Sequence, residues 1–78
     1  MILEKILKII EKYSYKKELI KNANLNSHII NDLHINSTRI VDIILDIEEE
    51  FDIEVEDSAL AKMLTVGDVI RIIENKLN

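Results

Sequence analysis

Cysteine and proline are absent from this chain of 78 residues, and glycine occurs once, at Gly67. Its only aromatic residues are Tyr13, Tyr15 and Phe51. Without cysteine there is no disulfide frame and no thiolate metal site, so any thiol chemistry must arrive with a cofactor. With so few strong breakers, helices joined by polar residues are the expectation. No apolar run is long enough to span a bilayer. Glu4 interrupts the apolar start Met1-Ile2-Leu3-Glu4-Lys5, and no cleavage-site pattern follows it, so no secretory signal is read there. A cytoplasmic protein with no membrane association is expected.

What is present is charge, unevenly spread. Net charge is −5. Residues 1–36 hold six lysines against Glu4, Glu11, Glu18 and Asp32, a balance of +2. Residues 37–78 hold Arg39, Lys62, Arg71 and Lys76 against eleven acids, a balance of −7. An acidic second half excludes the basic footprint that nucleic acid needs. It suits basic protein partners, because complementary charge speeds and orients encounter.

The length suits one small domain, residues 1–78, whose marginal core favours a helical bundle rich in Leu and Ile. Ile2, Leu3, Ile6, Leu7, Ile10 and Tyr13 recur at helical spacing and predict a first amphipathic helix over about 2–13. Residues 14–36 mix turn formers with Leu19, Ile20, Leu25, Ile29, Ile30 and Leu33. They read as a long connection that packs on the core and contains short helical turns, and long ordered loops are usually functional. A second helix is predicted over about 37–51, with Ile40, Val41, Ile44, Leu45, Ile47 and Phe51 as its stripe and Ile43 partly off it. Its exposed strip is Arg39, Asp42, Asp46, Glu49 and Glu50. Residues 52–56 alternate like a strand, but five residues without a partner cannot form a sheet, so they read as a connector tucking in Ile53 and Val55. Asp57–Met63 reads as a short helix. Thr65 and Asp68 form a capping box with Asp in place of Glu, opening a last helix whose stripe is Val66, Val69, Ile70, Ile73 and Leu77. The fold class is all-α: a small four-helix bundle of three longer helices and one short one, with a long first connection.

Ser37 lies where that connection meets the second helix, in Asp32-Leu33-His34-Ile35-Asn36-Ser37-Thr38. This segment resembles the D-L-G-x-D-S-L motif of the acyl carrier protein family. Ile40–Phe51 is similar to that family's recognition helix, and Thr65–Ile70 to the start of its last helix. The similarity runs without gaps from about Leu25 to Leu77. It implies a carrier, not an enzyme, with 4′-phosphopantetheine attached to Ser37 and acyl groups held on the arm as thioesters. The implied partners are a phosphopantetheinyl transferase and acyl-loading and acyl-processing enzymes of fatty acid or related acyl-chain biosynthesis. Their basic docking patches would meet Arg39, Asp42, Asp46 and Glu49. A monomer is expected.

Three residues depart from the family pattern: His34 stands for glycine, Asn36 for aspartate and Thr38 for an apolar residue. Asn36 and Thr38 flank the attachment residue, so they narrow the choice of transferase and partner. With Arg39 they favour a specialised aminoacyl or polyketide carrier as the alternative. Read from the residues alone, Ser37 is also an ordinary N-cap. In that case the chain is an unmodified acidic interaction module.

Other constellations fail on chemistry. Asp32, His34 and Ser37 are close in sequence, but a hydrolase triad is defined by geometry and roles. His28 and His34 lack further ligands at a zinc spacing. Asp52, Glu54 and Glu56 imitate a calcium loop, but Asp57 stands where glycine is needed and Met63 where the bidentate glutamate is needed.

Overall fold

The structure is a computed structural model that describes residues 2–77; Met1 and Asn78, the ends of the expected domain, lie outside the described residues. Among these residues are three long helices, α1 (Ile2–Glu11), α3 (Ile40–Phe51) and α5 (Val66–Leu77). Two short ones, α2 (Lys17–Lys21) and α4 (Asp57–Leu60), complete the set. The all-α bundle therefore stands, and α2 is one of the helical turns expected inside the first connection. None of these helices is long and apolar enough to cross a membrane.

The helices form because each buries an apolar stripe on a common cluster. Ile6, Ile9 and Ile10 of α1 meet Ile43, Ile44 and Ile47 of α3 and Val66, Val69 and Ile73 of α5. Ile20, Ile29, Leu33 and Ile35 from the first connection, and Met63 before α5, close the cluster. No polar side chain is buried among the described residues. Ile53 and Val55 pack against the cluster as expected.

Several faces differ from the periodic reading. Ile43, expected partly off the stripe, is buried, while Val41 and Leu45 are 55% and 56% exposed. A stripe through Ile40, Ile43, Ile44 and Ile47 faces the core, and Val41 and Leu45 fall on the opposite side of α3. Leu25, Ile30 and Leu77 are also exposed rather than packed. In α1, helical bonding ends at Glu11, and Lys12 and Tyr13 continue as a turn. Lys17 Nζ donates to the Glu11 carbonyl at 2.9 Å, satisfying one free acceptor at the end of α1.

The long connection is tied to the start of α5. Ile29 N donates to Leu64 O (2.9 Å), Val66 N to Ser27 O (3.0 Å) and Gly67 N to Leu25 O (2.9 Å). Helix N-termini leave N–H groups without partners, and loop carbonyls supply them here. The capping box is formed as read: Asp68 N donates to Thr65 Oγ1 at 3.1 Å, and Thr65 N to Asp68 Oδ2 at 3.0 Å. Leu64 N and Thr65 N hold the Asp68 carboxyl below its ordinary range, Thr65 being the larger influence. Gly67 sits where a Cβ would lie 2.9 Å from the Leu25 carbonyl oxygen, so only glycine allows that approach.

Candidate functional site

The first connection delivers the chain to α3 through a sharply shaped turn. Asp32 Oδ2 accepts from His28 N at 2.8 Å, and Leu33 N donates to His28 O at 3.0 Å. Asp32 is thereby a turn former bonded to His28. His34 then adopts a left-handed backbone, with φ 57°. This conformation is cheap for glycine and costs an L-residue about 1–2 kcal/mol. Leu33 and Ile35 on either side are buried and fix the turn to the core.

Residues 36–39 follow as an exposed run. Ser37–Arg39 form a single 3₁₀ turn that leads into α3. The N-cap of this turn is Asn36, not Ser37. Asn36 Oδ1 accepts from Thr38 N at 3.0 Å and from Thr38 Oγ1 at 2.9 Å. The N-cap reading of Ser37 is thus corrected. A cap must stand outside the helix with an extended backbone, and Asn36 has φ −64° and ψ 133° while Ser37 is already inside. Ser37 is exposed, and among the described residues its Oγ takes no part in the side-chain bonding of this turn.

The four residues read as a docking strip meet different fates. Arg39 Nη1 bonds Asp42 Oδ2 at 3.0 Å, an exposed pair one helical turn apart. Asp46 turns toward α1: its Oδ2 accepts from Lys12 Nζ at 2.8 Å and from Tyr13 OH at 2.7 Å. The two donors, Lys12 first, hold the Asp46 carboxyl below its ordinary range. The same contact raises both the Lys12 ammonium and the Tyr13 phenol. Tyr13 therefore donates its hydroxyl to a carboxylate. Glu49 is exposed and has no ion-pair partner among the described residues. Its neighbour Glu50 lies 3.6 Å from Lys5, whose ammonium stands 5.7 Å from the centre of the Phe51 ring.

Lys12 and Tyr13 were not read as part of this surface. The pairing joins residues 33 and 34 positions apart, and no local pattern announces such a contact. Val41 and Leu45 were also missed as surface residues. A helical projection centred on Ile43 would have found them, since both lie about 200° from it at 100° per residue.

No family model matches the sequence. Curated proteins do. The acyl carrier protein of Campylobacter lari is 34% identical over 67 residues, which is 86% of this chain and 83% of that protein. The acyl carrier protein of Campylobacter hominis is 34% identical over 67 residues, covering 81% of its length. That of Thermotoga maritima is 45% identical over 49 residues, which span 63% of this chain and 60% of its own. With similarity over most of both chains, an all-α bundle and an exposed serine at the turn before α3, this chain belongs to the acyl carrier protein family.

Proposed function

We propose that residues 1–78 form one carrier domain that works as a monomer in the cytoplasm, with a 4′-phosphopantetheine arm on Ser37. The observation that carries this reading is the division of labour in the turn. Asn36 makes the capping bonds, so the Ser37 hydroxyl is left to react while its backbone is held. The residues present fit such a group: positions 36–39 are all exposed. Asn36 and Thr38, bonded to each other, orient the attachment residue. When bound, the arm supplies a terminal thiol that holds an acyl group as a thioester. The chain itself contributes position, not catalysis.

Its partners are a phosphopantetheinyl transferase and enzymes that load and process acyl groups in fatty acid or related biosynthesis. They approach α3 with basic patches, meeting Asp42, Asp46 and Glu49, with Arg39 adjusting the choice among them. Such encounters weaken as salt screens the charges. The test is intact mass after incubation with coenzyme A and a broad-specificity transferase. The parent should gain one phosphopantetheine and Ser37→Ala none. An unmodified parent beside an active control carrier would leave the acidic interaction module as the reading.

A specialised aminoacyl or polyketide carrier is the second reading, and the Arg39–Asp42 pair favours it. That pair neutralises the end of the acidic strip nearest Ser37. Loading by an adenylating enzyme instead of a malonyl transferase would establish it.

A further inference from the structure

α1 and α3 run in opposite senses, and basic residues of α1 and its trailing turn lie along the acidic side of α3. Lys5 meets Glu50 and Lys12 meets Asp46. Of these contacts the second is the closer: 2.8 Å from the ammonium to the carboxylate, with Tyr13 OH on the same oxygen at 2.7 Å. The Asp46 side chain is only 25% exposed, whereas Lys12 is 61% exposed and stands outside it. A basic side chain approaching α3 from solvent therefore meets Lys12 before it meets Asp46.

We propose that Lys12 is an internal competitor for the docking surface of α3: it holds the place on Asp46 that a partner's Lys or Arg would take. Basic partners are left to dock on Glu49, or to displace Lys12 before they reach Asp46. Tyr13 makes the retained carboxylate stable by donating a neutral hydrogen bond that survives the displacement. The Lys12 ammonium sits on a long flexible stem, so it can swing to water without disturbing the core. This device sets which acids of the strip a partner reads, and it rests on the reading of α3 as the docking helix.

The test uses a cationic probe and does not require the arm. A tetra-arginine peptide is titrated into the unmodified full chain at low salt, with backbone and carboxyl shifts followed by NMR. Three forms are compared: the parent, Lys12→Met, and Lys8→Met, which makes the same change of charge on α1. Lys8 has no ion-pair partner among the described residues. In the parent, shifts should centre on Glu49 and spare the Asp46 carboxyl. In Lys12→Met the Asp46 carboxyl should respond, and the peptide should bind about fivefold tighter than in Lys8→Met. Fivefold is the factor that one contact between unit charges carries in water. Equal affinity in the two variants, or an Asp46 response already complete in the parent, would overturn the competitor role while leaving α3 as the docking helix. Shifts that fall away from α3 in all three forms would overturn the docking reading itself. Far-UV circular dichroism of each variant confirms that it is folded.

Discussion

Exchanging two adjacent residues for alanine should have opposite consequences. Asn36→Ala removes the acceptor for Thr38 N and Thr38 Oγ1, bonds of 3.0 and 2.9 Å. Loss of an Asn cap typically costs about 0.5–2 kcal/mol, and the exposed turn lets water recover part of it, so about 1 kcal/mol is the working value. In a domain of this size that corresponds to a fall in Tm of roughly 4–8 °C. Ser37→Ala removes a hydroxyl that bonds nothing in the turn, and an exposed change of that kind stays within about 0.5 kcal/mol. Asn36→Asp keeps the acceptor and places a negative charge at a helix start, so it should hold or raise Tm. Thermal and urea unfolding by far-UV circular dichroism would measure all three, and intact mass would follow arm attachment in parallel. The expected pattern is a destabilised chain that is still modified for Asn36→Ala, and a stable chain that is never modified for Ser37→Ala. If Ser37→Ala lost as much stability as Asn36→Ala, the assignment of the cap would be wrong.

Other perturbations separate the forces in the fold. Gly67→Ala would normally stabilise a helix by about 1 kcal/mol, but here the new Cβ meets the Leu25 carbonyl at 2.9 Å. Tm should fall, and hydrogen exchange at the Gly67 amide should speed up; a rise in Tm would refute the close approach. His34→Gly relieves a left-handed residue at the cost of unfolded-chain entropy, for a net gain of up to about 1 kcal/mol in urea unfolding. A loss of stability would mean that the His34 side chain makes an unrecognised contribution. The Asp46 contacts predict losses at both extremes of pH. Its carboxyl is lowered in the folded chain, so that stability is complete above about pH 4 and lost as pH falls through the depressed value. Tyr13 and Lys12 are raised, so their share is present below about pH 10 and lost as pH climbs through the raised values. Asp46→Asn should flatten both limbs of the stability profile, and an unchanged acid limb would count against the contact. Ile43→Ala, in a residue 1% exposed, should cost about 2–5 kcal/mol by opening a cavity in the core; a cost below 1 kcal/mol would contradict its burial.

The helices were legible because helical periodicity is strong in α1, α3 and α5, and the capping box at Thr65 and Asp68 is a local signal with a local cause. The turn at Ser37 was legible in position but not in detail. Asn and Ser cap almost equally well, so sequence cannot say which of two neighbours stands outside the helix. The first connection was read as packed, yet of its apolar residues Ile20, Ile29, Leu33 and Ile35 went inward while Leu25 and Ile30 stayed out. For Leu25 and Ile29 the backbone is fixed by bonds to the distant stretch from Leu64 to Gly67, which no local pattern announces. The bonds of Lys12 and Tyr13 to Asp46 are a product of helix packing, and nothing near either residue encodes them.

Of the fourteen buried core residues among those described, ten are isoleucine and two are valine. Branching at Cβ leaves such side chains in helices with one strongly preferred rotamer. The interior therefore has few soft torsions with which to reshape itself around a guest. An alkyl chain entering between the helices would have to shift whole helices as rigid bodies. Guest length would then be read as interhelical distance, and the hinges would be the bonds that Leu25, Ser27 and Ile29 make to the stretch from Leu64 to Gly67.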